Sequence, residues 1–263
     1  MNCFSDEIIE KILEISFINS KFLLDSQILG EYISSNKVDG SLVTSVDLRA
    51  QTLLIEWLRN LGFNKFISEE FDFENCKNSI DFRNSFIIDP LDGTSSFAQG
   101  GDFSFNIAFV NNEYKAIFGL IAEPRLSRVT FISQNKSFFV YDGNFKQNHW
   151  QEVEVREDKD LTIITSKSNN KLPDVDIKKI FDGNNVIRKT ASTKYIDFIE
   201  NKNSLVFINH RLAIWDFIPI MALNDVFAVE FNDEEFKSFD EIKLLNGKIF
   251  YNKIMIKRIN KRT

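Results

Sequence analysis

A chain of 263 residues, 43% of them hydrophobic, is long enough to bury the core of one large α/β unit or of two packed lobes. Its 32 basic and 38 acidic residues leave a net charge of -6, which excludes a general electrostatic attraction to a nucleic-acid polymer. Two cysteines, Cys3 and Cys76, cannot build a disulfide framework, and two histidines, His149 and His210, exclude a histidine-rich metal site. Residues 1–10 lack the basic and apolar regions of a secretory signal, and no apolar run approaches the roughly 20 residues of a membrane span. A cytoplasmic protein is expected.

Ser5 followed by Asp6 and Glu7 reads as a helix start: a capping oxygen, then acids at the positive end of the helix dipole. The stripe Ile8, Ile9, Ile12, Leu13, Phe17, Phe22 and Leu23 carries that helix to about Gly30. A polar link over residues 34–41 leads into Leu42-Val43-Thr44. Thr44-x-x-Asp47 matches a capping box at the start of a second helix, and capping alone would explain both residues. That helix runs past Leu54, Trp57 and Leu58 to Gly62, with Phe63 as its terminating hydrophobic contact. Phe66-Ile67-Ser68-Glu69-Glu70 reads as a short strand ending in acids, and residues 72–83 as a polar loop.

Phe86-Ile87-Ile88 reads as a strand buried on both faces, and Pro90 is expected to stop it, because proline cannot donate to a ladder. The hexapeptide Asp89-Pro90-Leu91-Asp92-Gly93-Thr94 then holds two carboxylates at the exit of a rigid strand. Gly93 permits a tight bend close to a ligand. Carboxylate oxygens placed there suit a hard cation such as magnesium. Free N–H groups at a following helix start suit a phosphate. A bare Asp-Gly pair would read only as a turn between strands.

Segments 103–110, 115–121, 129–132 and 137–141 alternate and close at Asp142-Gly143, which predicts an antiparallel meander. A strand over 161–165, a helix near 174–181, a strand from Val186, a helix over 192–200, a strand over 204–208 and a helix over 217–224 follow. Trp215-Asp216 opens the last helix, with Asp216 as its N-cap. The expected fold class is α/β (α+β layered), with an N-terminal lobe over 1–150 and a C-terminal lobe over 151–263.

With these motifs in place, the chain resembles the inositol monophosphatase-like superfamily of magnesium-dependent, lithium-sensitive phosphatases. The signature Asp-Pro-hydrophobe-Asp-Gly-Thr lies at Asp89–Thr94, Ser-x-Val-Thr-x-x-Asp at Ser41–Asp47, and the Trp-Asp pair at Trp215-Asp216. The resemblance covers roughly residues 40–223 and implies two packed αβ lobes of the inositol monophosphatase/fructose bisphosphatase type. It also implies two or three Mg2+ ions, which four gathered carboxylates would need to offset their repulsion. Glu69, Asp89 and the Leu91 carbonyl would hold one ion, and Asp89, Asp92 and Asp216 a second. Asp47 and Thr94 would orient the attacking water and accept its proton, while the amides of Gly93 and Thr94 would receive the phosphate.

Several details lean toward the bacterial 3′(2′),5′-bisphosphate nucleotidases of sulfur assimilation. Ser68-Glu69-Glu70 is similar to that group's Ser-Glu-Glu, Gly101–Ala108 to its Gly-Glu-Phe-Thr-Val-Asn-Ile-Ala, and Ala191–Tyr195 to its Gly-Ser-Ser-Leu-Lys-Phe. The implied activity is hydrolysis of the 3′-phosphate of adenosine 3′,5′-bisphosphate. Substrate contacts implied are Glu69, Leu91, Asp92, Gly93, Thr94 and Asp216, with Lys194 and Arg211 (and His210 beside it) as candidates for a second phosphate. Each of these last three, taken alone, reads as a surface residue. The departures are Ser95-Ser96 where a charged pair is usual, Ala191 in place of glycine, and the lost Gly-Gly turn near 225–227. A phosphatase of inositol 1-phosphate or another sugar phosphate is the alternative; a catalytically inactive phosphate-binding relative is the alternative from another class. The partner expected is a small phosphate monoester, and a homodimer is an open option.

Overall fold

The computed structural model describes residues 4–37, 40–71, 81–141, 143, 145–167, 177, 179, 185–208, 212–223, 227–231, 234–235, 250–251 and 254–258. Helix α1 (Asp6–Leu29) starts where the Ser5 hydroxyl accepts the Ile8 amide and ends at Gly30, whose φ of 67° only glycine adopts cheaply. A hairpin of β1 (Ser34–Asn36) and β2 (Leu42–Thr44) leads into α2 (Ser45–Asn60). The end of α2 is a full Schellman closure: the Gly62 amide donates to Arg59 O at 2.8 Å and the Phe63 amide to Leu58 O at 3.2 Å.

Seven strands form the first sheet in sequential order: β3 (Phe66–Ser68), β4 (Ser85–Asp92), β5 (Ser104–Val110), β6 (Ala116–Glu123), β7 (Arg128–Ser133), β8 (Lys136–Tyr141) and β9 (Gln151–Glu152). Only β3 and β4 run parallel; the others are the expected antiparallel meander. A short helix, α3 (Thr94–Ala98), links β4 to β5. The second sheet begins with β10 (Thr162–Ser166), β11 (Asn185–Lys189) and β12 (Ser204–Ile208), all parallel, with α4 (Thr193–Glu200) crossing from β11 to β12. After β13 (Leu212–Ala213), the strands β14 (Phe227–Phe231), β15 (Glu234–Glu235) and β17 (Ile254–Arg258) complete its antiparallel half. Strand β16 (Phe250–Tyr251) pairs with β13. Apart from residues 177 and 179, the expected helix at 174–181 lies outside the described residues, as do residues 72–80 of the expected loop at 72–83 and residues 142, 225 and 226.

Strand β4 is buried on both faces, and its alternation shows what covers each. Phe86 and Ile88 join the core formed with α1 and α2, whereas Ile87 joins the core formed with Ile164, Tyr195, Phe198 and Ile218 of the second half. The seven-stranded sheet is therefore the middle layer. Much of the phenylalanine sits on its helix side, where Phe4 stacks on Phe118 at 4.9 Å and Phe63 meets Phe86 edge-on at 4.8 Å. On the other side, Gly119 of β6 lies so close to the second half that a Cβ there would stand 1.9 Å from the Pro219 carbonyl oxygen. Only glycine fits that crossing.

Two expectations are corrected. Pro90 does not stop β4, which continues to Asp92 with a register shift against β5. Of the helix expected over 217–224, the described residues 217–223 do not form an α-helix; two 3-10 turns, Ile214–Asp216 and Ile218–Ala222, take its place. Their amides reach back three residues (Phe217 to Ile214, Ile220 to Phe217, Leu223 to Ile220), which suits a segment with a proline in its first turn. No helix among the described residues is long and apolar enough to cross a membrane.

Candidate active site

The register of three neighbouring strands builds the site. Ser68 pairs with Ile88 across the parallel β3–β4 ladder, so Glu69 emerges one step beyond it, beside Asp89. On the other side Asp89 pairs with Asn106 and Asp92 with Ser104. Three steps along β4 thus match two along β5, the signature of a β-bulge. The extra residue falls at Pro90-Leu91, where proline has no amide to lose. Without it, Asp89 and Asp92 would face opposite sides of a pleated strand. With it, oxygens of Asp89, Asp92 and Asp216 all lie within 4.8 Å of one another.

Asp216 arrives from the second half, and its capping role differs from the expected one. It is the third residue of its own 3-10 turn, and its Oδ2 accepts the Ala213 amide at 2.7 Å. The cap reaches backward and leaves the carboxylate beside Asp92. Asp47 occupies the third position of α2, where Oδ2 accepts both the Thr44 amide at 2.9 Å and the Thr44 hydroxyl at 2.5 Å. Its other oxygen, Oδ1, accepts from the Thr94 hydroxyl at 2.9 Å. The capping box and a place beside the site therefore coexist in one carboxylate.

Burial pushes the Asp89 carboxyl well above the usual carboxylate range, and the charges of Glu69, Asp92 and Asp216 push it further. Asp216 is raised well above its ordinary value by the same causes, burial first and then Asp92 and Glu69. Burial also raises Asp47, against the hydrogen bonds from Thr44 and Thr94. Asp89 Oδ2 is fully buried and accepts no hydrogen bond. An orphaned carboxylate oxygen amid like charges and hard oxygen donors fits a magnesium-sized cation, which relieves both the repulsion and the missing partner.

Lys37 is a site residue that the sequence reading passed over within the polar link. Its Nζ stands 2.7 Å from Glu69 Oε1 and 2.7 Å from Glu70 Oε1. Burial opposes its charge, but the two glutamates outweigh that and raise its pKa. Burial and the Glu69 charge lift Glu70 to about 7 despite Lys37. A cavity of about 530 Å3 opens over the group, lined by Glu69, Asp89, Leu91, Asp92, Gly93, Thr94, Ser95 and Asp216. Asn36, Gly40, Ser41 and Leu42 of the hairpin form its far wall. Ser41 and Leu42 belong to the Ser-x-Val-Thr-x-x-Asp stretch already noted, whereas Asn36, Lys37 and Gly40 carry no motif of their own and only their place just before it points to them.

Lys194 corrects a further expectation. It is not a surface cation but 2% exposed, with Nζ donating to Ala191 O at 2.5 Å and lying 4.6 Å from the Tyr195 ring. Burial lowers its pKa, against the attraction of Asp92, Asp216 and Asp89. It stands behind the carboxylates instead of at the mouth of the cavity. His210 and Arg211 lie outside the described residues.

The sequence pattern of the Inositol monophosphatase family matches residues 15–223, which contain every one of these carboxylates. The chain belongs to the inositol monophosphatase family. Among members of the family, it is 28% identical over 135 residues to the 3′(2′),5′-bisphosphate nucleotidase CysQ of Salmonella typhimurium, a match covering 51% of this chain and 52% of that one. The chain thus spans about half the length of the curated relatives it matches. The crystal structure of CysQ from Bacteroides thetaiotaomicron superimposes with a TM-score of 0.73 over 98% of this chain and 99% of that one, at 17% identity. An IMPase/NADP phosphatase complexed with Mg2+ and phosphate superimposes with a TM-score of 0.65 over 94% and 88%, at 16% identity. At such identities the two structures establish the inositol monophosphatase fold.

Proposed function

We propose that this member of the inositol monophosphatase family is a magnesium-dependent phosphomonoesterase that removes the 3′-phosphate of adenosine 3′,5′-bisphosphate. The observation that carries the phosphatase reading is the convergence of Asp89, Asp92 and Asp216 within 4.8 Å, under a cavity that Thr94, hydrogen-bonded to the buried Asp47, also borders. Family members are metal-dependent phosphatases, and the relative solved with Mg2+ and phosphate supports the same cofactor. Glu69, Asp89 and the Leu91 carbonyl would hold one ion, and Asp89, Asp92 and Asp216 another. When bound, magnesium supplies Lewis-acid stabilisation of phosphoryl charge and a lowered pKa for water.

The chain's own residues handle the proton. Thr94 has one hydroxyl proton and two acceptors within reach, Asp47 Oδ1 at 2.9 Å and the Leu91 carbonyl at 3.1 Å. Donation to Asp47 leaves the Leu91 carbonyl to a cation and turns the Thr94 lone pairs toward a water in the cavity. As that water attacks phosphorus, its proton passes to Thr94 Oγ1 and the Thr94 proton moves to Asp47 Oδ1; the bond from phosphorus to the 3′-oxygen breaks, and that oxygen leaves as a hydroxyl with a proton from solvent water. Burial raises the affinity of Asp47 for that proton. The first turn of α3, entered at Gly93 with a φ of 89°, receives the phosphoryl oxygens.

The nucleotide assignment is supported by the name of the Salmonella relative and by Ser68-Glu69-Glu70. Inositol 1-phosphate or another sugar phosphate is the second reading, and the burial of Lys194 favours it, because that cation does not reach the cavity. Side-by-side kcat/KM measurements with Mg2+ decide between them. A preference of about tenfold or more for adenosine 3′,5′-bisphosphate, about 1.4 kcal/mol in the transition state, is expected. An equal or reversed preference moves the protein to the second reading. Release of phosphate from neither substrate, or full activity in excess chelator, overturns the mechanism.

A further inference from the structure

We propose that Ser192 is a positioning residue that fixes the Asp92 carboxylate beside Asp216 and so sets the geometry of the second metal position. The inference rests on the metal-dependent reading above. Ser192 is fully buried, just before α4. Its Oγ lies 2.5 Å from Asp92 Oδ2 and 2.9 Å from the Asp216 carbonyl oxygen. The Asn106 amide donates to the same Oγ at 2.8 Å and lies 3.3 Å from the Trp215 carbonyl oxygen. The Ser192 amide in turn donates to Ser104 Oγ at 3.1 Å.

One hydroxyl thus sits where three segments meet: the bulged end of β4, the face of β5 carrying Ser104 and Asn106, and the 3-10 turn of Asp216. Chemistry assigns the direction of its single proton. Asn106 can only donate through its NH2 group, so a Ser192 lone pair is taken and the proton is aimed away from Asn106. Of the two acceptors left, Asp92 Oδ2 is the nearer and can carry charge, which makes the stronger bond. One Asp92 oxygen is held in this way, and the other is left to the cavity.

The backbone around Ser192 is arranged for the same contact. Ala191 holds a left-handed φ of 52°, a conformation that costs a residue with a side chain. Its Cβ lies 3.2 Å from where a Gly93 Cβ would stand, so the turn is pressed against the glycine beside Asp92. The Lys194 ammonium on the Ala191 carbonyl ties the turn from behind. Packing alone would be satisfied by alanine at 192.

The test is titration of the full chain with Mn2+, followed by calorimetry and by the electron paramagnetic resonance of free Mn2+. Ser192→Ala is expected to weaken the Asp92-dependent binding step by about 10- to 100-fold, the usual effect of removing a group that orients a metal ligand. The step assigned to Glu69 and Asp89 should persist. Asn106→Ala, which leaves the hydroxyl but removes its aim together with the longer Asn106 contact to Asp92 Oδ2 at 3.4 Å, should weaken the same step and serves if Ser192→Ala does not fold. A variant that folds and binds both ions like the wild type overturns the assignment, as does an equal loss at both steps. Failure of the wild type to bind Mn2+ at all would instead sink the metal-dependent reading, and this inference with it.

Discussion

The Thr94 hydroxyl donates to the Asp47 carboxylate at 2.9 Å, tying the first turn of α3 to the first turn of α2. Neither residue contacts the three clustered carboxylates through a hydrogen bond of its own; Thr94 is linked to them by the cavity it lines and by the Leu91 carbonyl, and Asp47 through Thr94. Asp47→Asn or Thr94→Ala should therefore lower kcat by roughly 10²–10⁴, the range of general acid–base help. Mn2+ affinity should hold nearly constant. Loss of metal binding with kcat intact at saturating metal would show the roles to be reversed.

How much of this was legible in advance depends on which physics decided each feature. Helix α1 was readable because its ends are local chemistry, the Ser5 hydroxyl and the left-handed Gly30. The meander was readable from alternation, Asp89 and Asp92 from a hexapeptide at the exit of a buried strand, and Glu69 and Asp216 only through the family resemblance. Pro90 was not, because whether a proline ends a strand or sits in a bulge is settled by the partner strand, here the Asn106 and Ser104 pairing. Lys194 was not, because composition places lysine outside, and only the tertiary arrangement turns its face of α4 inward. Lys37 was hidden for the opposite reason: a cation in a polar link reads as solvated until the fold brings Glu69 and Glu70 to it.

Asp89 offers a test that needs no substrate. Its buried Oδ2 has no partner and its neighbours share its charge, so in the absence of cations the native state carries the repulsion. Asp89→Asn removes that charge and should leave the metal-free melting temperature equal to or above that of the wild type. Magnesium at 100 times its Kd should stabilise the wild type by about 2.7 kcal/mol, and the variant far less. Thermal melts with and without Mg2+ measure both quantities. An equal magnesium-induced rise in the two proteins would remove Asp89 from the ligand set.

Glu123, remote from the site, makes a separate pH prediction. It ends β6 opposite Arg128, is 8% exposed, and its Oε2 accepts no hydrogen bond. The Arg128 guanidinium is drawn to Glu200 at 2.6 Å, and its Nε lies 4.0 Å from Glu123. Burial is the largest cause raising Glu123, Arg128 opposes it, Glu200 and Asp197 add to it, Lys189 opposes, and the carboxyl is pushed up to about 7. An acid raised in the folded state binds more protons there than when unfolded. Its stabilising contribution is therefore complete below the ordinary value of 4.5 and is lost as pH climbs through about 7. The loss is on the order of 3 kcal/mol at 1.36 kcal/mol per unit of pKa. Glu123→Gln keeps the shape without the charge, so it should flatten the fall in melting temperature over that window and exceed the wild type above it. Melting curves taken from about pH 5 to 9 check this; parallel curves for the two proteins would mean that Arg128 already compensates the Glu123 charge in full.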